Sequence, residues 1–230
     1  MKRFYKQATV TEQDGMFTVE LDGRGIKTPA KEKCLMPTRK MAEVVAEEWN
    51  EQGEEVDPHS MPITKLMNTA IDRVEARRDE LIAELVKYAG SDQLCYRVEH
   101  PAELVEEQNK IWNPLLERMK EKYGINFKLA SGIIFENQDD EAIDTYKALI
   151  DGIESFELTA YHGMTTVTGS VTIGLHLFDG HLTVDEAWDA GHVDENFQAS
   201  QWGIDEEAEE RRKELKTELG NAARFLSLCR

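Results

Sequence analysis

The sequence predicts an α+β fold: a small N-terminal strand-rich sheet-and-helix domain over residues 1–60, followed by a larger all-helical domain over residues 61–230. Two observations carry that division. In "FTVELDGRGIKTPAKEKCLMP" apolar and polar residues alternate around a glycine-rich turn, the period of a half-buried strand. From Met61 onward the apolar spacing changes to threes and fours, the period of a helix with one buried face. At 230 residues the chain can bury a core without a metal or a disulfide.

Taken in order, Phe17, Val19 and Leu21 share one side of a strand, a turn follows at Asp22 to Gly25, and a second extended piece ends near Pro29. A helix follows Pro37 and Thr38, with Met41, Val44, Val45 and Trp49 as its stripe and Gly53 near its end. Next come two helical stretches. "ITKLMNTAIDRV" places Leu66, Met67, Ala70, Ile71 and Val74 on one face, and "RDELIAELVKYAG" does the same with Leu81, Ile82, Leu85 and Val86 before Gly90. Pro101 opens a longer segment with Leu104, Val105, Ile111, Trp112, Leu115, Leu116 and Met119 as its apolar face. A kink or break is expected at Asn113-Pro114 and an end at Gly124.

The β-branched residues of 165–179 favour a strand, whereas the length and surroundings of the stretch favour a buried helix; the context selects helix. Thr183 with Glu186 three residues on is a capping box, so a helix runs from about Val184 to Gly191 around Trp188. A short helix after Asp194 and a last one from about Asp205, with Leu215, Leu219, Ala222 and Leu226, complete the chain.

The formal net charge is −18, from 45 acids against 27 bases, and it argues against nucleic acid as a partner, because phosphate contacts need Lys and Arg. The acidity is regional. Residues 148–210 hold 14 Asp or Glu and no Lys or Arg; setting those aside leaves 31 acids against 27 bases, a net of −4. Such asymmetry marks either an interaction surface or an acidic, salt-adapted composition, and the near balance of the rest of the chain favours the first. Cys34, Cys95 and Cys229 are odd in number and have no C-x-x-C spacing, so they read as reduced thiols of a cytoplasmic protein. No apolar run approaches the roughly 18 residues that would span a bilayer, so no membrane insertion is expected.

Candidate chemistry is thin. The glycines of "LDGRGIKTPA" lack the spacing of a phosphate loop, since Lys27 and Thr28 run into Pro29 and a second strand, and a hairpin turn explains them. His162, His176, His181 and His192 could join Asp185 or Asp194 as metal ligands, yet their spacings force no two onto one helix face. Ser170 in "TGSVT" lacks the context of a nucleophilic serine. No metal and no cofactor is therefore expected.

The stretch "QWGIDEEAEERRKE" is more informative. With Asp205 as N-cap, Glu206, Glu207, Glu209 and Glu210 fall in the first turns, where the helix dipole favours each by roughly 0.3–1 kcal/mol. Glu207–Arg211 and Glu209–Lys213 have the stabilising i,i+4 spacing, but Glu206–Glu210 and Glu210–Glu214 repel at it. Local helix stability explains part of the run, and both a solvated face and a partner surface stay open.

At this point the chain resembles a known family, the assembly chaperones that hold the alpha subunit of the F-type ATP synthase before it joins the beta subunit. The resemblance covers nearly the whole chain. It lies in "RFYK", "LDGRGIKTPA", "AEEWNEQ", "MPIT" with "NTAIDRV", "SDQLCYR", "HPAELVEEQNKIWNPLL", "TGS" and "VDENFQASQWGIDEEAEERR", in that order. It implies a two-part fold and a protein that is not an enzyme. It also implies an ATP-independent chaperone that binds the unassembled alpha subunit and prevents its aggregation until the beta subunit arrives. The family's W-G-x-D-x-E-A motif maps onto Trp202, Gly203, Asp205, Glu207 and Ala208, and Glu207 is its leading position. Partner binding is thus expected at Glu207, Asp205, Trp202, Gly203, Glu210, Asp194 and Glu195, by a protein that is monomeric when free. Gln93 departs from the family, which commonly has an apolar residue there. The alternative is a metal- or small-molecule-dependent enzyme using the histidines and carboxylates of residues 162–210.

Overall fold

The structure, a computed structural model, describes residues 2–131 and 136–230. By their contacts they form two units: Met1–Arg78 with Glu154–Ala160 and Arg224–Arg230, and Asp79–Ile153 with Tyr161–Ala223. The α+β class expected from the sequence is the class observed, a three-stranded antiparallel sheet near the N-terminus followed mostly by helices.

In the first unit, β1 (Ala8–Gln13), β2 (Met16–Leu21) and β3 (Arg24–Gly25) form the sheet in that order. Both hairpins turn on Asp-Gly, with positive φ at Asp14 (55°), Gly15 (78°), Asp22 (48°) and Gly23 (81°). That is the two-residue turn whose twist matches paired strands. The second hairpin is the one expected from the sequence, although its return strand is only two residues long; the first carries the same Asp-Gly signal. Val19 and Leu21 are buried as their alternation requires, while Phe17 is half-buried.

α1 (Arg39–Asn50) starts at Thr38, whose hydroxyl accepts the Met41 N–H at 3.1 Å and donates to the Leu228 carbonyl. Met41, Ala42, Val45 and Ala46 are buried on its inner face. Its Glu48 is buried too, and it caps α2 (Pro62–Thr69): the carboxylate accepts the N–H groups of Ile63 and Thr64 at 2.8 and 2.7 Å and the Thr64 hydroxyl at 2.6 Å. Met61, the residue at the N-cap, has no side chain able to do this. The helical pattern of Ala70–Val74 continues α2 as a π-helical turn.

In the second unit, α3 (Arg78–Gly90) leads to the short strand β4 (Tyr96–Arg97), which pairs in parallel with β5 (Ala130–Ser131). Between them runs α4 (Ala102–Tyr123), closed by Gly124 in the left-handed conformation at φ 71°. Of the kink or break expected at Asn113-Pro114, the break does not occur: Pro114 lies inside one 22-residue helix. A helix-interior proline costs about 3 kcal/mol, but Trp112, Leu115 and Met119 around it are buried, each worth about 1.5–3 kcal/mol. Packing outweighs the lost hydrogen bond.

α5 (Asp140–Asp151) was not read from the sequence, though Ala142, Tyr146 and Ile150 stand at the right spacing and are all buried. α6 (Ser155–Thr168) and α7 (Val171–Phe178) make the ambiguous stretch two helices. Every residue of α7 is buried, which is why β-branched side chains are tolerated there: tertiary burial overrides propensity. α8 (Val184–Gly191), α9 (Val193–Trp202) and α10 (Glu206–Cys229) complete the chain. The capping box at α8 forms as expected, Glu186 accepting the Thr183 N–H at 2.8 Å and Thr183 accepting the Glu186 N–H at 3.2 Å. No helix of the described residues is long and apolar enough to cross a membrane.

Candidate protein-docking site

α9 is held in place before it reaches the surface. The Trp112 indole donates to the Ala190 carbonyl at 2.8 Å, just ahead of α9, and the Gln108 amide donates to Asp194 at 2.7 Å. From α10, Arg212 reaches back to Glu195 at 2.7 Å and to the Asn196 side-chain oxygen, and its guanidinium lies 5.3 Å from the centre of the Trp188 ring. Trp188 in turn stacks on His192 at 3.7 Å. Burial pushes the His192 pKa down, opposed by its bond to the Trp188 carbonyl, so the ring is neutral near pH 7.

Beyond this anchor the chain turns at Gly203, whose φ of 77° and ψ of −179° form a conformation open almost solely to glycine. Its N–H bonds back to Ala199 at 2.8 Å. Asp205 then caps α10 by accepting the Ala208 N–H at 3.0 Å. The turn leaves Gln201 to Glu207 exposed. Trp202 is 79% exposed and Ile204 41%, a large apolar pair on a corner whose backbone is fixed at both ends.

The expected partner residues divide here. Trp202, Gly203, Asp205, Glu207 and Glu210 lie along one short stretch at the corner. Asp194 and Glu195 instead tether α9 to α4 and α10. Much of the acidic run is matched within the chain: Asp185 pairs with Lys216 at 2.6 Å, and Lys213 serves Glu210 at 3.7 Å and Glu209 at 4.0 Å. The pairing expected between Glu207 and Arg211 is absent. Asp189, Glu206 and Glu207 make no ion pair among the described residues.

The histidines are used otherwise than as a cluster. His176 is fully buried, bonded to the Leu115 carbonyl at 2.8 Å, and burial pushes its pKa down to about 4. His162 sits 3.4 Å from Glu84. Among the described residues no three His, Cys, Asp or Glu side chains are grouped so as to hold a metal ion. Ser170 is the N-cap of α7 and is buried, donating to Asp92 at 2.9 Å. Gln93, the departure from the resemblance, donates to the carbonyls of Thr168 at 2.6 Å and Gly191 at 3.0 Å, tying the ends of α6 and α8. Neither role was visible in the sequence, because each partner is at least 75 residues away.

The corner offers an exposed tryptophan beside carboxylates that make no ion pair among the described residues, a surface suited to binding and not to catalysis. Comparison with known proteins supplies the class, a chaperone. The chain matches the model of the ATP12 chaperone protein over residues 2–120. It is 33% identical to Atp12 of Paracoccus denitrificans, with a TM-score of 0.96 over 100% of this chain and 98% of that one. It is 37% identical to the Atu1473 protein of Agrobacterium tumefaciens, with a TM-score of 0.94 over 100% of this chain and 86% of that one. Mitochondrial atp12 of Schizosaccharomyces pombe is 27% identical, with 99% of this chain and 82% of that protein aligned. The chain belongs to the ATP12 chaperone family.

Proposed function

We propose that this protein is an ATP-independent assembly chaperone of the F-type ATP synthase that binds the unassembled alpha subunit and keeps it from aggregating until the beta subunit pairs with it. Family membership supports the first half of this reading. A single observation carries the docking site: Trp202 stands 79% exposed on the α9–α10 corner, beside Glu206 and Glu207.

An unpaired subunit exposes apolar surface meant for its neighbour, and such surface aggregates. Trp202 and Ile204 supply apolar contact, and a tryptophan can bury on the order of 150–250 Å². The free carboxylates set partner choice and on-rate against a basic patch. An interface of about 1,200–2,000 Å² built this way can be displaced without nucleotide hydrolysis. On this reading the chaperone is no enzyme, acts in the cytoplasm as a monomer, and needs no cofactor.

The test is co-expression with the alpha subunit of the same organism, followed by sizing of the soluble complex. Glu207→Lys is expected to lower capture by about tenfold or more while the chaperone stays folded. Capture at the native level by that variant would sink the assignment.

A further inference from the structure

The first unit has an open sheet edge. β1 pairs with β2 on one side, and the alternation of an antiparallel strand determines which residues face the other. The Asp22 N–H bonds the Gln7 carbonyl at 3.0 Å, so Gln7, Thr9 and Thr11 turn their peptide groups toward β2, and Ala8, Val10 and Glu12 turn theirs outward. The residues opposite agree. Val19, facing Val10, gives its carbonyl to the Ile26 N–H at 2.9 Å, and Phe17, facing Glu12, exchanges both its bonds with Met36 at 3.0 and 2.7 Å.

Ala8 already has a stand-in for a neighbouring strand. The Asn50 side chain accepts its N–H at 2.8 Å and donates to its carbonyl at 2.9 Å. The outward groups of Val10 and Glu12 have no such partner among the described residues. β1 also lacks the usual protections of an edge, having no proline, no lysine and a continuous register.

Beside this edge runs an open groove lined by Val10 and Val44, by Glu43 and Glu47 of α1 and Glu51 at its C-cap, and by Lys40. The three glutamates recur every four residues, about 6 Å along the helix axis. Alternate side chains of an extended strand recur about every 6.6 Å, so the two periods match over three positions. Glu47 and Glu51 make no ion pair among the described residues, Glu43 reaches Arg39 at 4.0 Å, and Lys40 is turned to the Ser227 carbonyl at 3.2 Å.

We propose that this edge is a second docking surface, which takes an extended segment of a client protein as an added strand, with Lys or Arg at alternate positions facing Glu43, Glu47 and Glu51. Main-chain bonds to Val10 and Glu12 give affinity, and the glutamate row gives preference for basic segments. The surface uses no residue of the α9–α10 corner, and its existence does not depend on which client the corner holds.

The experiment titrates the full chain against a fluorescent heptapeptide of alternating Lys and Val, and against the same peptide with Glu for Lys, reading anisotropy. The Lys peptide should bind saturably, about tenfold more weakly at 0.5 M salt than at low salt, and the Glu peptide should not bind. Val10→Pro removes the outward N–H where an edge strand tolerates proline, and should weaken binding about tenfold. The double variant Glu47→Lys, Glu51→Lys lies on the exposed side of α1 and should weaken it similarly with an unchanged helix signal. Failure of the native chain to bind the Lys peptide, or binding of it undiminished by the double variant, overturns the proposal. A native dimer that Val10→Pro dissociates would give the edge to a second copy, and overturns it as well. Alpha-subunit capture, scored separately with Glu207→Lys, keeps failure here distinct from failure at the corner.

Discussion

Two helix corners of the second unit share one local design and face opposite environments. At Gly169, φ 66°, the chain passes from α6 to α7 through Ser170, whose hydroxyl accepts the Ile173 N–H at 3.1 Å. At Gly203, φ 77°, it passes from α9 to α10 through Asp205, whose carboxylate accepts the Ala208 N–H at 3.0 Å. The first corner is sealed. Asp92, fully buried beside it, accepts the N–H groups of Leu94 and Thr172 and the Ser170 hydroxyl at 2.9–3.0 Å, and Gln93 ties the Thr168 carbonyl. The second leaves Trp202, Ile204, Glu206 and Glu207 in solvent. A glycine and a cap dictate the turn, whereas the fate of the side chains around it separates a corner that holds the fold from one that is available to a partner.

The contrast is broken most forcefully at Asp92. Asp92→Ala leaves a buried hydroxyl and two N–H groups without their acceptor, and should cost about 3–5 kcal/mol in urea denaturation. A loss under about 1 kcal/mol would mean that the sealed corner is not held by this network.

Acid should act next. Burial holds the His176 pKa at about 4, against about 6.5 in the unfolded chain, so the unfolded state takes up the proton first. The stability this contributes is complete above about pH 6.5 and is lost as pH falls toward 4, on the order of 3 kcal/mol across the window. His192, also pushed down by burial, adds in the same direction. His176→Gln should flatten the slope of unfolding free energy against pH.

Two glycine substitutions sharpen the comparison. A Cβ on Gly174 would stand 2.7 Å from the Thr165 hydroxyl in the buried packing, so Gly174→Ala should cost about 1–3 kcal/mol. A Cβ on Gly203 would meet nothing within 4 Å, so Gly203→Ala costs only backbone strain, about 1–2 kcal/mol, and should reduce alpha-subunit capture by redirecting Trp202. The smallest stability change carries the clearest functional consequence: Trp202→Ala should alter the unfolding free energy by less than about 0.5 kcal/mol while capture falls about tenfold. A marked stability loss with intact capture would make Trp202 a structural residue.

Most elements were legible because their signals are local. Thr38, Thr183 and Asp205 announce helix starts, Asp22-Gly23 announces a hairpin, and Trp202-Gly203 announces a corner. Asp14-Gly15 was equally legible and was missed, as was the Ala142, Tyr146, Ile150 spacing of α5. The candidate corner was legible in part: Trp202, Gly203 and the acids after them stand together in the sequence, but Asp194 and Glu195 could not be set apart from Glu207, because their tethers Gln108 and Arg212 lie 86 and 17 residues away.

The sequence by itself determined the α+β class, the helix caps, the turns and the absence of Lys and Arg from the acidic stretch 148–210, since each is read from neighbouring positions. Tertiary structure decided that α4 runs through Pro114, that Glu48 caps another helix, that Asp92 is buried, and which carboxylates find a base. Burial and long-range pairing are properties of what the folded chain brings together, and a free energy of several kcal/mol from such contacts overrides local preferences that run from a fraction of a kcal/mol to about 3 kcal/mol for proline.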